Sequence, residues 1–241
     1  QQSNIMWLDS IHSSADDHIA LQTSKAILTS TVLVNGYACK DPTTVTVEDF
    51  SFAGLRNAGD TNNPVQSKVT PAFVQEFGGL NTLGMAMGRI DYAVGGLNPP
   101  HAHPRASEIL LVLQGKLLVG FVDTNNTLFS KILEKGDVFV FPKALPHFQE
   151  NVGHQHAVAI AAFNSQFPGI LTIANSLFAA NPPIPDSVLA KAFRITHNLV
   201  DHTKAEFEFE STSIYANFFK TLAFSTNPYC NQYDQQTHTC F

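Results

Sequence analysis

The chain has 241 residues and a formal charge of −6, with only 14% charged side chains. That acidic balance argues against nucleic acid as a partner, and no window is apolar for the length a membrane span needs. Apolar residues make up 44%, with nineteen Phe against one Trp, which reads as one large globular domain with appendages and a core built on Phe.

Residues 1–33 are mixed and polar, with Ser13, Ser14, Asp16 and Asp17. They are expected to wrap the domain as an irregular arm holding one or two short strands. Residues 34–60 carry an Asn35-Gly36 turn and a Thr/Val run from Thr43 to Val47. Residues 57–70, rich in Asn, Asp, Gly and Pro, read as loop. Leu83 to Tyr92 is a strand candidate. Further strands are expected over Lys116–Val122, Leu128–Leu133, Gly136–Pro142 and Ala157–Phe163. Asp123 to Asn126 forms a hairpin loop between two of them. Short strands with regular Gly, Pro and Asn turns are the pattern of an all-β sandwich or barrel.

After Asn181-Pro182-Pro183-Ile184-Pro185 the period changes. Asp186 reads as an N-cap for a helix over Ser187–Phe193, with Val188, Leu189 and Ala192 at helical spacing. A second helix is expected over Asn198–Phe207. The tail from Ile214 to Phe224 has an apolar face at either period. The organisation is therefore an arm (1–33), a β domain (34–184), helices (185–210) and a tail of unassigned role (211–241).

The chemistry concentrates around His101 and His103. They stand two apart, so on extended chain they share a face. Pro99, Pro100 and Pro104 bar a helix here and make poor central-strand residues. A new strand opens at Glu108 and continues Ile109-Leu110-Leu111-Val112-Leu113, apolar enough to be buried. A carboxylate at the head of such a run needs a partner. A metal held by two imidazoles would be that partner. His147 follows the turn from Lys143 to Pro146 and offers a further ligand. Three imidazoles and one carboxylate without thiolate suit Mn, Fe or Zn. On an octahedral ion they leave two positions open for water or substrate.

His154 and His156 form a second His-x-His, but they follow Gly153 in an expected hairpin turn with no carboxylate placed nearby, and read as solvated. Asn125-Asn126-Thr127 is the one N-glycosylation acceptor sequence, with Asn125 as the acceptor. The three cysteines are Cys39, Cys230 and Cys240, an odd count that leaves one thiol over or makes one intermolecular bond. No base is placed beside Cys39 that would make it a nucleophile.

Two segments carry a family resemblance. Gly95, His101, His103, Glu108 and Gly115 meet the first cupin box in its germin form at every position. Gly136, Pro142, His147 and Asn151 meet the second, with Ala144 where Gly is usual. The likeness runs from Val34 to Val200, through phrases such as Val34-Asn35-Gly36-Tyr37-Ala38-Cys39-Lys40-Asp41 and Phe163-Asn164-Ser165-Gln166. The chain thus resembles a plant germin-like protein. The resemblance implies a cupin jelly-roll barrel with a C-terminal helical extension, assembled as a hexamer (a trimer of dimers). It implies a secreted protein of the apoplast or cell wall, and Gln1 is then the start of a mature chain whose export signal is gone.

It further implies manganese bound by His101, His103, Glu108 and His147, and superoxide dismutase activity. Oxalate oxidation, turnover of a specialised metabolite, or a non-catalytic wall or receptor role with a structural metal are the alternatives. Germin oxalate oxidase holds its substrate with two asparagines. Asn98 matches one; Gly88, before Arg89, stands in place of the other, which demotes that reading. Germins also join an N-terminal Asp-Phe-Cys to the cysteine that Cys39 matches. Here Trp7 to Ile11 has no Cys. Either Cys39 pairs with a C-terminal cysteine, or Cys230 and Cys240 pair and Cys39 stays free. Lys135-Gly136-Asp137 resembles an adhesion tripeptide of germins, and a tight turn is enough to explain it.

Overall fold

The computed structural model describes residues 32–210 and the backbone of two short strands near the C-terminus, with side chains through Phe207. The expected arm before Val32, Cys230 and most of the tail lie outside the described residues.

A small hairpin comes first, β1 (Leu33–Val34) and β2 (Tyr37–Ala38). It closes on Asn35 and Gly36, both at positive φ, the mirror-image turn that Asn-Gly favours. Then follow β3 (Ser67–Ala72), β4 (Ala86–Tyr92), β5 (Leu97–Ala102), β6 (Glu108–Gln114), β7 (Lys116–Val122) and β8 (Leu128–Glu134). After these come β9 (Val138–Phe141), β10 (His147–Asn151), β11 (Ala157–Phe163) and β12 (Leu171–Thr172). They build two five-stranded antiparallel sheets, ordered β12-β5-β10-β7-β8 and β3-β4-β11-β6-β9. Consecutive strands switch sheets at β5–β6 and β6–β7, which is jelly-roll winding. The helices α1 (Ile173–Phe178), α2 (Asp186–Phe193) and α3 (His197–Glu210) close the domain. A last pair, β13 (Tyr233–Asp234) and β14 (Thr239–Cys240), lies beyond them.

The core fills the space between the sheets. Alternation turns Ala157, Ala159, Ala161 and Phe163 of β11 inward. Tyr92, Leu110, Leu117, Leu133 and Phe141 are each at most 1% exposed. Phe73, Phe141 and Phe163 are buried while Phe50, Phe129 and Phe193 are exposed, so the core is more aliphatic than the Phe count implies. A second apolar cluster, Leu189, Ala190 and Val200, joins α2 to α3. There the Phe178 ring lies 5.4 Å from that of Phe193 and 6.2 Å from that of Phe207.

Four local features differ from the sequence expectation. The loop over 57–70 ends early, because β3 begins at Ser67. It is an edge strand that pairs only with β4, so Pro71 costs it no ladder bond on its free side. Pro99 and Pro100 lie inside β5, although prolines are poor in inner strands. They are tolerated because β12 pairs only with His101 and Ala102, and the register against β10 shifts between His147 and Gln149. Asp186 is not the cap of α2. Pro185 holds that position, and the Asp186 carboxylate pairs with Lys204 of α3 instead. The six-residue α1 has no side-chain cap hydrogen bond and was not expected.

Ala144 sits in the turn between β9 and β10 at φ 63°. A left-handed backbone costs a residue with a Cβ about 1–2 kcal/mol. Glycine returns about 0.4–1 kcal/mol of that through its freer unfolded chain. Ala144→Gly is therefore expected to stabilise the protein by about 0.5–1 kcal/mol. A denaturation midpoint that stays put or falls would contradict strain at this turn.

Candidate metal centre

The two sheets meet around four polar side chains. His101 is the penultimate residue of β5 and faces its register partner His147 at the start of β10. Glu108 opens β6 in the opposite sheet, between Phe141 and Phe163 on the neighbouring strands. His103 lies one residue beyond β5, in the turn that carries the chain from one sheet to the other. All four are buried, none more than 4% exposed. One ligand atom from each falls within 4.8 Å of every other, a set that could hold a metal ion. Ligands on one ion at about 2.1 Å stand at most about 4.2 Å apart, so a small contraction closes the set.

The imidazoles are held in one tautomer. Nδ1 of His101 lies 2.8 Å from the Pro99 carbonyl, Nδ1 of His103 2.6 Å from that of Gly169, and Nδ1 of His147 2.8 Å from that of Leu145. A carbonyl only accepts, so each Nδ1 carries the proton and each neutral ring presents a bare Nε2. Two of those atoms point at one carboxylate oxygen. Glu108 Oε2 is 3.0 Å from His103 Nε2 and 3.2 Å from His147 Nε2. Lone pair against carboxylate is repulsive unless a cation lies between them. A proton on each ring is one answer, and a metal ion is the other. The donor set fits the metal, and a carbonyl on the remote nitrogen is the usual support of a metal-bound imidazole.

Burial, then the neighbouring His147, press His101 down to about 3. Burial opposes ionisation of Glu108; in the metal-free site, with a proton on Nε2 of His103 and of His147, hydrogen bonds from those rings outweigh it and hold the carboxyl at about 2. Phe141 stacks on the His147 ring at 4.5 Å, and Phe163 meets that of His103 edge-on at 4.7 Å.

Beside the cluster lies a cavity of about 40 Å³, walled by Val69, Phe73, Gly88, Ile90, Asn98 and Ile170, among others. Ile170 is 44% exposed and so marks its mouth. Asn98 is in this wall, but its amide donates 2.7 Å to Oε1 of Gln149. Gln149 was missed by sequence reasoning. It is fully buried on β10, takes a 3.4 Å contact from the Tyr92 hydroxyl, and leaves Nε2 without a partner among the described residues. Its place two residues after His147, on the same face of a strand, was the available signal. His154 and His156 lie exposed in the turn between β10 and β11, apart from the cluster. Cys39 is a buried free thiol among the described residues. Asn125 is exposed in the turn between β7 and β8, where its backbone N–H bonds Asp123.

A jelly roll that closes three imidazoles and a carboxylate between its sheets defines a cupin, and the cupin family profile matches residues 53–201. Within that family the chain belongs to the germin-like proteins. It is 58% identical over 183 residues to germin-like protein 1-1 of Oryza sativa subsp. japonica, covering 76% of this chain and 84% of that one. It is 55% identical over 178 residues to the rhicadhesin receptor of Pisum sativum, covering 74% and 82%. Among solved structures, an oxalate oxidase in complex with the substrate analogue glycolate superposes with a TM-score of 0.74 at 41% identity, covering 80% of this chain and 96% of that one.

The buried groups make stability depend on acid. Unfolded His101 takes a proton near 6.5 and the folded residue only near 3, so folding loses free energy as the pH falls through that window. Glu108 acts in the same direction between 4.5 and 2. The melting temperature of metal-free protein should drop from pH 6.5 to 4.5, and His101→Gln should flatten that slope. A flat profile in the parent protein would refute this account of the site.

Proposed function

We propose that this germin-like protein is a secreted, manganese-binding oxidoreductase that converts superoxide to dioxygen and hydrogen peroxide. The observation that carries the reading is the convergence of fixed Nε2 lone pairs on Glu108 beside a very small cavity. A single water needs about 10–15 Å³. The cavity of about 40 Å³ therefore suits an ion and one or two diatomic-sized guests better than a larger metabolite. Manganese would supply one-electron chemistry, so that one superoxide leaves as dioxygen and the next, with two protons, as hydrogen peroxide. His101, His103, Glu108 and His147 would hold the ion, although Fe and Zn accept the same ligands. The backbone carbonyls of Pro99, Gly169 and Leu145 keep the rings oriented. Phe73, Phe163 and Ile170 contribute apolar wall to that cavity. Asn98, held by Gln149, presents an amide edge in the wall.

Oxalate oxidation is the second reading, favoured by the oxalate oxidase likeness. Gly88 counts against it, since that stretch of wall offers no side-chain donor. A wall role, or a receptor role such as the name of the pea relative gives that protein, is the non-catalytic reading.

Purified protein should contain about one Mn per chain and turn over superoxide faster than oxalate. Glu108→Gln and His147→Ala should lose metal and activity together. Superoxide turnover that survives loss of the metal would sink the assignment. Zn, or Mn with neither activity, would transfer it to a metabolite enzyme or a structural role.

We further propose a homo-oligomer, a hexamer by family likeness, with a glycan on Asn125. The outer face of the β3-β4-β11-β6-β9 sheet supports assembly. Met87, Ala162, Ile109 and Val140 form one register row across it, and Met87, Ile109 and Val140 are each more than 40% exposed. Native mass spectrometry of the secreted protein should read six chains, and Asn125→Gln should remove one glycan mass per chain. A monomer, or an unchanged chain mass, would reject the corresponding part.

A further inference from the structure

The three imidazoles are not anchored alike. His101 and His147 use carbonyls two residues upstream, which their own local chain supplies. His103 reaches 66 positions along the chain to Gly169, and its contact is the shortest of the three at 2.6 Å. The orientation of His103 therefore depends on how the segment between β11 and β12 is docked.

Both ends of that segment are held by the sheets or their loops. Upstream, the Gln166 carbonyl takes the Val74 N–H at 3.0 Å, and its side chain donates to Asn81 at 2.9 Å. Downstream, Leu171 and Thr172 pair with Ala102 and His101. The middle is held by Arg105, two residues after His103. Its backbone N–H donates to the Pro168 carbonyl at 3.1 Å, and its Nε donates to the Phe167 carbonyl at 2.7 Å. Its guanidinium carbon lies 4.4 Å from the centre of the Phe167 ring. Gly169 itself has φ 70°, and a Cβ there would fall 2.7 Å from Arg105 Nη2. A side chain at Gly169 would have to push the guanidinium aside, on a backbone whose φ L side chains rarely adopt.

We propose that Arg105 is a positioning residue of the metal centre. It fixes the Gly169 carbonyl, and that carbonyl keeps His103 in the Nδ1–H tautomer with Nε2 turned to Glu108. The inference rests on the metal reading above. A lysine keeps the charge but lacks the planar fork that bonds a carbonyl and stacks on a ring together. The effect should therefore be lost in Arg105→Lys as well as in Arg105→Ala.

The test uses 15N-labelled full-length protein, freed of metal, in long-range proton–nitrogen spectra of the histidine rings. In Arg105→Ala, His103 should lose its single tautomer while His101 and His147 keep theirs. Gly169→Ala should reproduce that selective change through its clash. Titration with Mn(II) alone should then show affinity lowered about 10- to 100-fold, with unchanged circular dichroism. If Arg105→Ala does not fold, Arg105→Lys carries the same readouts. The proposal is overturned if His103 keeps its tautomer, or if all three rings change together, which would mean general loosening. Should the parent protein bind no Mn(II), the metal reading fails, and the ring spectra still decide the role of Arg105.

Discussion

Glu108 stands 3% exposed in the seam between two sheets, facing nitrogens whose protons point the other way. An ionised carboxylate so placed costs several kcal/mol unless a positive partner is supplied. The three Nδ1 hydrogen bonds to carbonyls decide which partner fits. They commit each neutral ring to present a lone pair inward, so the site lacks donors for the carboxylate and has four acceptors for a cation. The polar atoms of this interior make sense as a set only around a positive charge.

The strand arrangement exists to bring those acceptors together. His101 and His147 are register partners across β5 and β10, and Glu108 comes from the facing sheet. Side chains alternate along a strand, so slipping β5 by one residue would turn His101 away from the interior. The irregularity between His147 and Gln149 absorbs Pro99 and Pro100 without disturbing the His101–His147 pair. Phe141 and Phe163 pack against the rings of His147 and His103. Such apolar neighbours lower the local dielectric and strengthen the charge interactions there.

Local spacing made much of this legible from the chain alone. The i, i+2 histidines, the carboxylate heading an apolar strand, and the Gly and Pro turns are short-range signals. Their geometry follows from the period of a strand. What escaped was long-range or marginal. The carbonyl that orients His103 belongs to Gly169, which no periodicity connects to it. Gln149 reads as an ordinary strand residue until Asn98 and Tyr92 are placed against it. Asp186 has the type of a capping residue, but the partner it takes, Lys204, lies in another helix. Local propensity yielded there to a tertiary ion pair. Strand β3 was hidden because an edge strand with one partner tolerates the polar and proline residues that otherwise mark a loop.

Charge arithmetic connects the site to the substrate class. The chain is acidic overall, at −6, and its one buried ligand carboxylate adds no attraction for an anion. Three neutral imidazoles and one carboxylate contribute −1 to the cluster, so a divalent ion leaves the centre at +1 and a trivalent ion at +2. Either value would reverse the local field in a confined, apolar setting where little solvent screens it. A small anion would then be drawn to the mouth at Ile170 by the loaded centre rather than by surface lysines or arginines. The walls at Val69, Gly88 and Ile90 offer no side-chain hydrogen-bond donors, and Asn98 spends one amide hydrogen on Gln149. A guest with several oxygens to satisfy would leave some unpaired, at a cost of about 1–3 kcal/mol each. A diatomic anion bound chiefly through the metal charge makes no such demand. On these walls, the proposed preference for a very small substrate would follow from what they lack.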